Sequence, residues 1–114
     1  MIQIYHNPRC GKSRNCLSLL TTTAIEYEII KYLDNPPTYD ELALLLKKLA
    51  LAPIDLVRQK EKIWIDNYKN KALTDQEVLN AMISHPILIE RPIVIKGDKA
   101  IIGRDLDKVS EFLK

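Results

Sequence analysis

The chain opens with three short periodicities in a fixed order, and that order constrains its fold more than any other feature. Ile2 and Ile4 alternate with Gln3 and Tyr5, a period-two strand pattern. Asn7, Pro8 and Gly11 mark a loop. Ser13 to Thr21 reads as a helix, with Cys16, Leu17, Leu19 and Leu20 available to its apolar side. Ile25, Tyr27 and Ile29 then alternate with Glu26 and Glu28, a second strand. Two strands joined through a helix form a βαβ unit, so they are expected to run parallel in one sheet.

Asn35, Pro36 and Pro37 break this pattern, and a helical middle follows. Thr38 with Glu41 is a capping box, and Leu42, Leu45, Leu46 and Leu49 form the apolar stripe of the helix it starts. Pro53 opens a short helix ending near Gln59. Ile63, Trp64 and Tyr68 suggest a helical turn in a polar setting. Thr74 with Glu77 is a second capping box, followed by Val78, Met82 and Ile83 and ended by His85 and Pro86. The last part changes character. Pro92 to Ile95 is a β-branched run, Gly97 and Asp98 make a turn, and Ala100 to Ile102 is another strand, a hairpin pattern. Leu106, Val109, Phe112 and Leu113 close the chain as an amphipathic helix.

The order βαβ, helices, ββα matches the thioredoxin-like arrangement, an α/β fold with a four-stranded mixed sheet. Residues 1–114 are expected to form a single domain of this kind, with residues of about 38–84 as an inserted helical subdomain.

Net charge is only +2, a weak argument for a nucleic-acid or membrane partner. The distribution says more. The first acidic residue is Glu26, so the opening segment carries Arg9, Lys12 and Arg14 unopposed, and both cysteines, Cys10 and Cys16, lie in it. Two cysteines are too few for a disulfide scaffold or a four-cysteine zinc site, and no metal is expected. No targeting segment or membrane span is visible, so the expected compartment is the cytoplasm, where cysteines stay reduced.

Cys10 falls between a strand and a helix. The N–H groups of a first helical turn have no partner within the helix; with the helix dipole they stabilise a thiolate or an oxyanion. Lys12 and Arg14 add positive charge, Ser13 is placed to donate a hydrogen bond to the sulfur, and His6 stands at the strand end. A lone intracellular cysteine is commonly small core filler, but this placement points to an activated nucleophile. Cys16 is the opposite case. Six residues along a helix separate it from Cys10 by a rise of about 9 Å, too far for a disulfide without unwinding, so it is read as packing. Position 13 is Ser, which removes the second cysteine of a CxxC pair and favours a one-cysteine mechanism with an external thiol. Of the remaining arginines, Arg91 and Arg104 flank the β-segments of the hairpin and Arg58 ends the short helix of the insertion. Arginine matches tetrahedral oxyanions through a planar fork that lysine lacks.

The stretch Tyr5-His6-Asn7-Pro8-Arg9-Cys10-Gly11-Lys12-Ser13-Arg14 resembles the His-x3-Cys-x3-Arg signature of the glutaredoxin-coupled arsenate reductases. The resemblance continues through Tyr32-Leu33, Pro36-Pro37-Thr38 and Asp40-Glu41-Leu42. It returns in His85-Pro86-Ile87-Leu88-Ile89-Glu90-Arg91-Pro92-Ile93-Val94 and in Gly103-Arg104. It implies that Cys10 is the nucleophile, that His6, Ser13 and Arg14 support the thiolate and its loop, and that Arg58, Arg91 and Arg104 bind the oxyanion. It also implies a cis-proline at Pro92. Asp105, where family members often have proline, works against an oxyanion site at Arg104. The implied activity is reduction of arsenate to arsenite, with glutathione as co-substrate, glutaredoxin as partner and no bound cofactor. Two related readings compete: a glutathione-linked thiol oxidoreductase acting on another substrate, and a thiol-stress transcriptional regulator that binds RNA polymerase. Ser13 and the three arginines argue against the regulator. A non-catalytic binding module would leave the cation-flanked Cys10 unexplained.

Overall fold

A computed structural model describes all of residues 1–114. The chain divides into two compact units, one formed by Met1–Asn35 with Arg91–Lys114 and the other by Pro36–Glu90.

The first unit holds the sheet. Strands β1 (Ile2–Tyr5), β2 (Tyr27–Ile30), β3 (Ile93–Lys96) and β4 (Lys99–Ile102) lie in the order β2-β1-β3-β4. β1 pairs parallel with β2, Ile4 opposite Ile29, and antiparallel with β3, Ile4 opposite Val94. Helix α1 (Gly11–Thr21) makes the crossover, and the last helix of the chain, Leu106–Leu113, packs beside it. Ile2, Ile4 and Val94 of the sheet meet Cys16 and Leu20 of α1 and Val109 of that last helix in one buried cluster. Both helices therefore cover the same sheet face.

The edge strand departs from expectation. Its alternation predicts three inward residues, yet Ile25 precedes the strand and is 37% exposed, and Ile29 is 39% exposed. Ile29 is on the core face, opposite Ile4, but the edge runs beyond the helical cover; only Tyr27 reaches the cluster.

Gly103, just after β4, marks a close approach. Its N–H donates to the Pro92 carbonyl at 2.8 Å. A Cβ there would stand 3.0 Å from Cys16 Sγ, 3.2 Å from Val94 Cγ2 and 3.3 Å from Pro92 Cγ. Gly103→Ala overpacks this corner and is expected to destabilise the protein by about 1–3 kcal/mol, read as a lower melting temperature in far-UV circular dichroism.

The second unit is helical: α2 (Tyr39–Leu49), α3 (Lys62–Asn67) and α4 (Asp75–Ser84), with 3-10 turns at Pro53–Leu56 and Pro86–Leu88. Both expected capping boxes are formed, Thr38 with Glu41 and Thr74 with Glu77. Leu42, Leu45, Leu46 and Leu49 are buried as the stripe predicts, and α4 packs on α2. The helix expected from Pro53 to near Gln59 is a single turn. It ends because Val57 turns extended and bridges Ile89, while the Arg58 N–H donates to the Leu88 carbonyl at 2.7 Å. The ambiguous segment is α3, whose Trp64 is buried and stacks on Tyr68 at 5.3 Å between ring centroids. The closing helix, α5 (Leu106–Leu113), completes the list of elements. No helix is long and apolar enough to cross a membrane.

Candidate active site

The loop leaving β1 carries the thiol. α1 begins at Gly11, two residues earlier than the periodicity suggests, because Cys10 itself is the N-cap, with φ −94° and ψ 122°. No side-chain cap closes this helix end. The unpartnered N–H groups of Ser13 and Lys12 act on the Cys10 sulfur instead, and the Arg91 guanidinium reaches it from the turn before β3. Partial burial opposes ionisation of the thiol, but the Ser13 N–H, the Arg91 hydrogen bond, the Lys12 N–H and the Arg91 charge together outweigh it. The thiol sits below its ordinary value. Burial alone acts on Cys16, pushing it up to about 11. The two thiols are thus shifted in opposite directions, and the packing role read for Cys16 is the one it has.

The supporting residues work differently from the expectation. The buried Ser13 hydroxyl lies 2.6 Å from His6 Nδ1 and accepts the Asn7 N–H at 3.0 Å. Burial, and then the charges of Arg14 and Lys31, lower the His6 pKa and favour the neutral ring. Ser13 therefore acts on sulfur through its backbone, not its hydroxyl, and His6 holds Ser13. Arg14 Nη1 donates to the Pro8 carbonyl at 3.0 Å, so its side chain braces the loop.

Arg91 is 7% exposed and is followed by a cis peptide bond to Pro92. Its carbonyl accepts from Arg104 Nη1 at 3.0 Å, which brings Arg104 to the same turn. The Asp105 carboxylate caps α5, accepting from the N–H groups of Asp107 and Lys108. Arg58 belongs to the second unit. There it pairs with Glu61 at 3.3 Å and Glu90 at 3.2 Å. No group of three or more His, Cys, Asp or Glu side chains gathers to hold a metal ion.

Sequence reasoning took Asn7 as a loop marker and gave it no role at the site. It is 2% exposed, and the loop bonds converge on it: its side-chain oxygen accepts the Arg9 N–H and its carbonyl accepts the Cys10 N–H, each at 3.0 Å. The signal was present, since asparagine before proline is a turn-initiating pair.

A four-stranded mixed sheet whose first strand runs into a helix capped by Cys10, with the Arg91–Pro92 turn beside that thiol, is a thioredoxin-like fold. Residues 5–112 match the ArsC family, and the chain belongs to it. It is 42% identical over 114 residues to an arsenate reductase of Neisseria meningitidis serogroup A, spanning 98% of this chain and 97% of that protein. It is 40% identical over 117 residues to the arsenate reductase of Escherichia coli strain K12, spanning 98% of this chain and 80% of that one. The solved structure of the arsenate reductase from Vibrio cholerae superposes with a TM-score of 0.90 at 40% identity, covering 96% of this chain and 95% of that chain.

Proposed function

We propose that this protein reduces arsenate to arsenite through Cys10, with glutathione and glutaredoxin supplying the electrons. The observation that carries the reading is the placement of Cys10 at the N-cap of α1, between first-turn N–H groups and the Arg91 guanidinium, which favours its thiolate. Relatives named arsenate reductases at about the same identity across nearly the whole chain support it. The Cys10 thiolate attacks arsenic and one arsenate oxygen leaves as water, forming a Cys–S–As(V) bond. Glutathione replaces a second hydroxyl, giving an As–S bond to its sulfur and another water. A glutaredoxin thiolate then attacks the glutathione sulfur. The As–S bond breaks with its electron pair left on arsenic, so As(V) becomes As(III) and glutaredoxin and glutathione form a mixed disulfide. Water displaces Cys10 and releases arsenite.

In this reading Arg91 and Arg104 offset the charge on the arsenate oxygens, as preorganised cations do. For Arg58 the same role is proposed, and it requires that arsenate displace the carboxylates of Glu61 and Glu90. His6, Ser13 and Arg14 keep the loop in its reactive form. No bound cofactor is needed, the setting is the cytoplasm, and neither nucleic acid nor membrane takes part.

The test is arsenate-dependent NADPH oxidation in the presence of glutathione, glutaredoxin and glutathione reductase. Turnover is expected; its absence, with Cys10 instead glutathionylated, would move the protein to another substrate. Cys16→Ser is expected to keep near-normal turnover while lowering the melting temperature. A hydroxyl placed among Ile4, Leu20 and Val94 lacks an assured partner, and such burial costs about 1–3 kcal/mol.

A further inference from the structure

We propose that Asn7 is a positioning residue for Cys10: its side-chain amide oxygen closes the turn that holds the sulfur in front of the first-turn N–H groups of α1. The chain has little length in which to do this. His6 still belongs to the sheet through its N–H bond to the Ile30 carbonyl at 3.1 Å, and helix begins at Gly11. The reversal occupies Asn7-Pro8-Arg9-Cys10, with asparagine and proline at the first two positions where a β-turn favours them. The Asn7 carbonyl accepts the Cys10 N–H, closing the turn. The Asn7 side-chain oxygen accepts the Arg9 N–H, closing a smaller ring inside it. The Asn7 N–H donates to Ser13 Oγ, tying the start of the turn to the helix it leads into.

Cys10 is thereby fixed from both sides. Its N–H is held by Asn7, and its carbonyl accepts the Arg14 N–H at 3.0 Å as the first bond of the helix. That fixes the backbone angles that direct the sulfur at the N–H groups of Lys12 and Ser13. Of the three Asn7 bonds, only the one to Arg9 depends on the side chain. Removing the amide releases the Arg9 N–H and loosens the segment immediately before the sulfur, while leaving the charges around it unchanged.

The proposal concerns the thiol itself, so its test is read without arsenate. Alkylation of Cys10 by iodoacetamide is followed against pH by peptide mass spectrometry, in full-length protein confirmed folded by circular dichroism. Asn7→Ala is expected to raise the midpoint of the rate profile by at least ~0.5 pH unit, with the high-pH plateau little changed. Asn7→Gln, whose amide is one methylene too far out to close the small ring, is expected to shift it likewise and serves if the alanine variant does not fold. Asn7→Ser, which retains an acceptor in the shorter hydroxyl version of this turn, is expected to lie nearer the wild type. A wild-type midpoint in Asn7→Ala, or in Asn7→Gln where that variant is the one read, overturns the proposal, even with a lowered melting temperature. A serine variant shifted as far as the alanine one overturns it too.

Discussion

Cys10→Ser is expected to reduce arsenate-dependent NADPH oxidation to background, a loss of at least ~10³-fold of the kind seen when a covalent nucleophile is removed. The substitution is nearly isosteric and falls at a half-buried helix cap, so the fold is kept and the loss is chemical. Two N–H groups and one guanidinium favour the thiolate of Cys10, but a serine hydroxyl is a far weaker acid and stays protonated in the same field. The serine variant also forms no sulfur–arsenic bond for glutathione to work on. Turnover that survives this change would remove Cys10 from the mechanism.

The second large effect is expected at Arg91. Arg91→Ala removes the one side-chain cation that acts directly on the sulfur, together with a donor fork for the oxyanion. Loss of one preorganised donor at a charged transition state costs about 10²–10³-fold, and kcat/KM for arsenate is expected to fall by that order. The pH profile separates this from a packing defect. Because the guanidinium favours the thiolate, its loss raises the Cys10 pKa. The alkylation rate of the variant therefore begins its rise at higher pH than that of the wild type, and at any fixed pH below the midpoint it is slower. Arg91→Lys retains charge without the planar fork. It is expected to recover part of the pH shift and little of the turnover. An alkylation profile identical to the wild type in Arg91→Ala would show that the sulfur does not depend on this guanidinium.

The parts of the fold that local pattern decides were legible from the residues alone. Alternation at Ile2 and Ile4, the two Thr-x-x-Glu boxes and the β-branched run after Pro92 each became the element they suggest. What pattern could not supply was competition for a single group. Ser13 carries both an N–H and a hydroxyl; only the folded loop reveals that the hydroxyl is taken by His6 and Asn7 while the N–H faces the sulfur. The capping role of Asp105 became visible only with the helix it starts. Edge position decided the exposure of Ile29, and no strand pattern encodes which strand will be the edge. In the site, Cys10 and the cation excess around it could be read directly. The contact of Arg91 with the sulfur spans most of the sequence and needed the sheet to make it.

Trp64 has a practical consequence. It is the only tryptophan in the chain, and it stacks on Tyr68 inside the unit Pro36–Glu90. Tryptophan fluorescence, excited where tyrosine does not absorb, is therefore a clock for the helical unit. The buried Cys16 thiol offers a matching clock for the other unit, since it reacts with a bulky disulfide reagent only when that core opens. Unfolding followed by both signals at once times the opening of each unit, using reporters the native sequence already contains.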